Sequence, residues 1–136
     1  MSYVSGKHLP PVNSESAPYW EGCRQGELRL QQCGACNYIQ FYPRLLCSQC
    51  GRREMGWVTA SGLGRVKSFT IVRRAVSAAY EPEVPYVVAL VELAEGPTMM
   101  SNLVDCDPEA VVTGLPVQVT FDDWTDEISV PMFRPA

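Results

Sequence analysis

Two cysteine pairs, Cys33-Gly34-Ala35-Cys36 and Cys47-Ser48-Gln49-Cys50, constrain this chain more than any other feature. Each C-x-x-C is short enough for both thiolates to bind one ion. The ten residues between the pairs, 37–46, can form a hairpin that brings the two knuckles together. Four sulfurs in a tetrahedral array suit Zn²⁺ in a structural site, and the doubled spacing is the sequence form of a zinc ribbon. Rubredoxin-type iron and a redox dithiol are the alternatives. With four protein ligands no position is open to water or substrate, so the expected single Zn²⁺ holds the fold and performs no chemistry. Gly34 and Gly51 are expected to supply the tight or left-handed backbone that a knuckle requires.

The length of 136 residues and a hydrophobic content of 46% suit one domain of ordinary size with a real core. No run approaches the roughly 18 apolar residues of a membrane span. Residues 1–8 lack the apolar centre of a signal peptide. The expectation is a cytoplasmic protein, where thiols stay reduced and paired cysteines indicate metal before disulfide. Cys23 and Cys106 lie outside the knuckles and read as small buried hydrophobes. Charge is uneven: residues 1–52 carry a net +2 and the remainder a net −6. Nucleic-acid binding relies on Lys/Arg neutralising phosphates, so this balance opposes it.

Along the chain, Ser16 reads as a helix cap, Pro18 as a first-turn residue and Gly26 as a stop. The residues before this helix, with Pro10-Pro11, read as extended or mobile. Trp20 suits either a core anchor or an anchor in another protein. Leu28 and Leu30 alternate with polar residues and predict a strand entering the first knuckle, with residues 39–42 returning. From Glu54 onward the pattern is all β. Strands are expected at 57–60, 65–73, 86–93, 99–104, 117–121 and 127–133, with loops at 75–84 and 105–114. Such spacing suggests a small closed barrel of the OB type, with an open sandwich as the alternative. The fold class is therefore mainly β, in three parts: helix with its N-terminal extension (1–26), zinc ribbon (27–53) and barrel with tail (54–136).

This order of parts resembles the rubredoxin-like zinc-ribbon plus OB-fold proteins associated with acyl-CoA enzymes. The resemblance rests on Tyr19-Trp20 leading to Gly26-Glu27-Leu28, the first knuckle, and Phe41-Tyr42-Pro43-Arg44 before the second. It continues through Pro85 to Leu93, Glu95-Gly96-Pro97, Ser101-Asn102-Leu103-Val104, Gly114-Leu115-Pro116-Val117 and Phe133-Arg134-Pro135. Some members have lost zinc ligands; this chain keeps all four. The resemblance implies a complex with a thiolase, a thiolase-fold aldolase or an acyltransferase, and for some members an acyl-CoA hydratase. In such an assembly the small subunit organises its partner's active site and can contact a CoA thioester.

Independent catalysis is not expected. His8 is the one histidine, in the N-terminal segment, so a nucleophile has no well-placed base. Gly62-Leu63-Gly64 lacks the third glycine of a nucleotide fingerprint. Asp122-Asp123 and Asp126-Glu127 read as an exposed acidic turn rather than an acid/base pair. Cys106 between two aspartates should be an unreactive thiol. Candidate partner or CoA contacts are Arg73, Arg74 and Tyr80, where guanidinium suits a phosphate or an acidic partner and the alternative is a solvated strand end. Phe41, Tyr42 and Arg44 beside the metal form an interface anchor or pack the ribbon onto the barrel. Trp124 and Phe133 close the barrel or dock a partner. The leading expectation is a non-catalytic accessory subunit; a hydratase accessory subunit, a nucleic-acid module and a rubredoxin-like electron carrier are the alternatives.

Overall fold

The computed structural model describes residues 6–136; residues 1–5, part of the stretch read for a signal peptide, lie outside the described residues. Helix α1 (Ala17–Arg24) has Pro18 in its first turn, where a missing N–H is harmless. Its end is a Schellman motif: Gly26 takes φ +78°, Gly26 N–H reaches Cys23 C=O, and Glu27 N–H reaches Gly22 C=O. The expected Ser16 cap is not formed. Its hydroxyl instead accepts from Asn13 N–H at 3.1 Å, and the Asn13 side chain accepts from Ser16 N–H at 2.9 Å. α1 buries Tyr19, Trp20 and Cys23.

Strand β1 (Arg29–Cys33) is central in a three-stranded antiparallel sheet, between β2 (Ile39–Gln40) and β3 (Met55–Thr59). Two sequence expectations change here. The return strand ends at Gln40 rather than residue 42, because Phe41 and Tyr42 leave the ladder to pack on Tyr19. β3, assigned from chain position to the barrel, pairs instead with β1 across five register positions from Arg29↔Thr59 to Cys33↔Met55.

The remaining strands are β4 (Leu63–Val72), β5 (Tyr86–Leu93), β6 (Thr98–Leu103), β7 (Pro116–Asp123) and β8 (Ser129–Pro135). They close in the order β4-β5-β6-β8-β7, with β7 returning to β4. Closure decides between barrel and open sandwich, and removes most exposed edges. β4 serves two neighbours, β7 at its start and β5 along its length, with a register shift between Val66 and Ser68. A bulge of this kind bends a strand so that it can turn the corner. Gly64 is required at that closure: a Cβ there would lie 2.7 Å from the Glu92 carbonyl oxygen.

Val87, Ala89, Val91 and Leu93 of β5 alternate inward, as a half-buried strand dictates. Phe133 of β8 fills the barrel with no exposed surface. Leu28, Leu30 and the α1 aromatics join the same core as the barrel residues, so ribbon, helix and barrel share one apolar interior. The β4–β5 loop holds a 3-10 turn (Ala78–Glu83), and the β6–β7 connection another (Pro108–Ala110) capped by Asp107. Among the described residues, no helix is long and apolar enough to cross a membrane.

Candidate metal centre and docking surface

β1 delivers Cys33 and the turn after it delivers Cys36; the β2–β3 connection delivers Cys47 and Cys50. The four sulfurs lie within 4.8 Å of one another. Across the knuckles, Cys33 Sγ is 3.7 Å from Cys50 Sγ, and Cys36 Sγ is 3.7 Å from Cys47 Sγ. Zn–S bonds of about 2.3 Å in a tetrahedron place neighbouring sulfurs about 3.8 Å apart. A disulfide would bring them to about 2.05 Å, and all four cysteines are free. The donor set and its spacing therefore fit a four-sulfur zinc site.

The two knuckles repeat one backbone device. The fourth residue after the leading cysteine is left-handed in each, Asn37 at φ +65° and Gly51 at φ +79°. Asn37 N–H returns to Cys33 C=O and Gly51 N–H to Cys47 C=O, both at 2.9 Å. Gly51 thus meets its expected role, whereas Gly34 does not supply left-handed backbone. Asn37 does so in the first knuckle, being one of the few non-glycine residues that tolerate it. Gly34 serves close approach: its N–H donates to Glu54 C=O at 2.7 Å, and a Cβ would crowd that oxygen at 3.2 Å. Amides of Cys50 and Gln49 aimed at the Cys47 sulfur bring its thiol down to about 7. Amides of Cys36 and Ala35 likewise lower Cys33. Cys36 moves the other way, up to about 12: the Tyr38 amide lowers it, but burial and the sulfurs of Cys47, Cys50 and Cys33 outweigh that amide. A thiolate is the metal-binding form, so the backbone amides favour it at Cys33 and Cys47.

A pair of glutamines that the sequence reading did not single out braces the second knuckle. Gln31 and Gln40 face each other across β1 and β2, each 4% exposed. Gln31 Oε1 accepts from Arg44 N–H at 2.8 Å and from Gln40 Nε2 at 2.9 Å. Its own Nε2 donates to Arg44 C=O at 2.9 Å. Gln40 Oε1 accepts from Ser48 N–H at 2.8 Å, and Gln40 Nε2 also reaches Leu46 C=O at 3.2 Å. Two side chains thereby hold the backbone from Arg44 to Ser48, which positions Cys47.

Next to this brace, an aromatic cluster joins ribbon to helix. Tyr19 meets Trp20, Phe41 and Tyr42 edge-on at 4.9, 5.6 and 5.6 Å, and Trp20 Nε1 donates to Tyr42 Oη at 3.0 Å. Trp20 is thus an anchor inside this chain. Phe41 and Tyr42 are half-buried and do both jobs: they pack on the core and line an apolar groove of about 370 Å³ with Met99, Met100 and Pro131. Arg44 is exposed beside them. On the loop between the knuckles, Tyr38, Leu45 and Leu46 are exposed apolar side chains near the metal centre. The one signal for them in the sequence is Leu45-Leu46, since a loop is an unusual place for paired leucines.

The other candidate contacts do not gather into one docking surface, although Tyr80 and Trp124 both lie against Lys7. Phe133 is wholly buried and Trp124 only 9% exposed, so neither presents an open docking surface; Phe133 fills the barrel core, and Trp124 lies outside that cluster against Lys7. Arg73 pairs with Glu109 across the neighbouring connection, and Arg74 beside it is exposed. Tyr80 is half-buried beneath Lys7. The N-terminal segment is therefore not simply extended, since Lys7 is 7% exposed and ion-paired with Glu83. The acidic turn is structural: Asp122 accepts from Trp124 Nε1 at 3.1 Å and Asp123 from Ser129 Oγ at 2.6 Å. Burial pushes the Cys23 thiol up to about 12. Burial and then Asp107 and Asp105 raise that of Cys106.

Residues 20–56 match the family described as ChsH2, rubredoxin-like zinc ribbon domain, and residues 57–122 match ChsH2, C-terminal OB-fold domain. A probable enoyl-CoA hydratase alpha subunit of Thermomonospora curvata is 36% identical over 93% of this chain and 39% of its own length. The chain thus spans about two fifths of that relative. A DUF35 domain-containing scaffold protein of Pyrococcus furiosus is 37% identical over 74% of each chain. A solved structure titled Ltp2-ChsH2(DUF35) aldolase superposes with a TM-score of 0.84 at 35% identity, covering 93% of this chain and 98% of that one.

Proposed function

This chain belongs to the ChsH2 (DUF35) family of rubredoxin-like zinc-ribbon and OB-fold proteins, and on that premise we propose that it is a non-catalytic accessory subunit of a CoA-dependent aldolase or thiolase. The observation that carries this reading is the match along nearly the whole length of both chains to the subunit of an aldolase assembly. Relatives named as scaffold proteins agree with it. The partner is a thiolase-fold protein that supplies the reactive groups, and the setting is cytoplasmic.

Within that assembly Cys33, Cys36, Cys47 and Cys50 hold one structural Zn²⁺. The exposed Tyr38, Leu45 and Leu46, with Phe41, Tyr42 and Arg44 behind them, form the docking surface. Aromatic and arginine side chains dominate such interfaces. Arg74 is the group available to a CoA phosphate, because Arg73 already has a carboxylate partner. A role without catalysis suits the inventory: His8 is exposed at the N-terminal segment, Cys23 is buried and Cys106 is a weakly acidic thiol. The hydratase alpha-subunit relatives support a second setting, a hydratase complex.

Co-expression with the thiolase-fold protein of the same source tests the proposal. The expected result is a stable complex in size-exclusion chromatography, with no thiolytic or retro-aldol turnover by the isolated small chain. A small chain that elutes alone at micromolar concentration, or turns over an acyl-CoA unaided, refutes it.

A further inference from the structure

Two loops at one end of the barrel each give an aromatic ring to the same cation. Tyr80 comes from the β4–β5 loop and Trp124 begins the β7–β8 loop. Lys7 Nζ lies 4.9 Å from the Tyr80 ring centroid and 5.0 Å from that of Trp124. The same ammonium pairs with the Glu83 carboxylate, and the lysine side chain is only 5% exposed. Lysine is rarely buried this far without compensation. Here two π faces and a carboxylate compensate it, which is the composition of an ammonium cage.

The cage walls have supports that do not involve the lysine. Trp124 Nε1 donates to Asp122 at 3.1 Å, and Trp124 N–H reaches Ile128 C=O at 2.9 Å. The Tyr80 ring lies against Tyr86 with centroids 5.9 Å apart, and Tyr80 N–H returns to Ser77 C=O at 3.0 Å. The occupant arrives from elsewhere, on the segment that precedes α1. Gly6 at φ +98° carries that segment over Ala79.

We propose that Tyr80, Glu83 and Trp124 form an ammonium-binding cage that Lys7 occupies in cis, and that withdrawing Lys7 opens the cage to an external alkylammonium. In OB barrels the loops at these two positions border the ligand face. Lys7 therefore acts as a latch across that border, tying together two loops that ladder pairing leaves separate. Withdrawal would cut the tie between the two loops and leave each ring on its own supports, Tyr80 against Tyr86 and Trp124 on Asp122. The proposal is independent of the accessory-subunit reading.

The test is chemical complementation in the full-length, zinc-loaded chain. Lys7→Ala is titrated with n-butylammonium chloride while the indole N–H resonance of Trp124 is followed, with sodium chloride at matched ionic strength as the control. Lys7→Ala should show a saturable shift at millimolar ligand, and the native chain and Lys7→Arg should show none over the same range. Adding Glu83→Gln to Lys7→Ala should weaken the binding at least tenfold. If Lys7→Ala is poorly folded, butylammonium should raise its melting temperature by several degrees and leave that of Lys7→Arg unchanged. Equal responses in Lys7→Ala and the native chain overturn the proposal. So does the absence of both shift and thermal rescue in Lys7→Ala.

Discussion

Replacing Gln40 by leucine tests whether the glutamine pair sets the metal centre's stability. Leucine keeps the side-chain bulk and suits a buried strand position, so packing changes little. Hydrogen bonding changes sharply: Ser48 N–H loses its acceptor at 2.8 Å and Leu46 C=O its donor at 3.2 Å, while Gln31 Oε1 loses Gln40 Nε2 at 2.9 Å but keeps Arg44 N–H. A buried group left unsatisfied costs about 1–3 kcal/mol. The loop lies near the surface, and water can recover part of each loss, so the low end applies to each group. The sum is about 2 kcal/mol. Because metal affinity and ribbon folding are linked, this appears as roughly 30-fold weaker zinc binding, at about 1.4 kcal/mol per factor of ten. Competition against a chromophoric chelator measures it directly. Gln32→Ala is the control, since Gln32 Nε2 makes only an exposed bond to Asn37 C=O at 3.2 Å and should change affinity less than twofold. A Gln40→Leu protein that holds zinc within a factor of two of the native chain refutes the brace.

Gly64→Ala should destabilise the barrel by about 3 kcal/mol, an overpacking loss, because its Cβ would meet backbone, the Glu92 carbonyl oxygen at 2.7 Å. Gly114→Ala should lose only about 1 kcal/mol, since φ +85° strains alanine but no atom lies within 4 Å of the added carbon. Urea titration separates the two, and equal losses would contradict the closure argument. In the zinc-loaded chain iodoacetamide should modify one thiol, Cys106, and more slowly than free cysteine at pH 8. Its raised pKa leaves less thiolate at that pH, and the rate should keep climbing above pH 9. Intact mass spectrometry reads this; rapid modification at pH 8, or prompt modification of Cys23, would contradict the assignment.

What the sequence made legible was whatever local chemistry decides. The knuckle spacing, the Gly26 stop and the inward alternation of Val87, Ala89, Val91 and Leu93 follow from spacing, φ and pleat alone. The misses involve partners distant in sequence or two demands on one residue. Gln31 interrupts the alternation of β1, and only the loop folded over it explains a buried amide there. Phe41 and Tyr42 read as strand, yet their rings gain more by stacking on Tyr19 than by extending a two-residue ladder. Asn37 is hard to read from the sequence because glycine is the usual choice for left-handed backbone, and a glycine lies nearby at position 34. Lys7 sits in a proline-rich stretch with no periodicity, and Tyr80, Glu83 and Trp124 lie more than 70 residues away.

The placement of the metal centre explains why a protein without expected catalysis would keep four ligands. Cys33 and Cys47 are buried, whereas Cys36 and Cys50 face solvent, so the centre lies at the edge of the ribbon rather than in the core. The segment between the knuckles begins next to Cys36 and ends next to Cys47, and it carries all of Tyr38, Phe41, Tyr42, Arg44, Leu45 and Leu46. A segment with only two residues in a strand has little ladder of its own. The Gln31–Gln40 pair holds it in the middle and Tyr19 and Trp20 support it from beneath, and an ion bound by the four cysteines would fix both ends. The barrel closes through its own ladders, apart from the metal. Zinc bound at these four cysteines would therefore bear chiefly on the order of the proposed docking segment, with the barrel beneath as the base against which that segment is held.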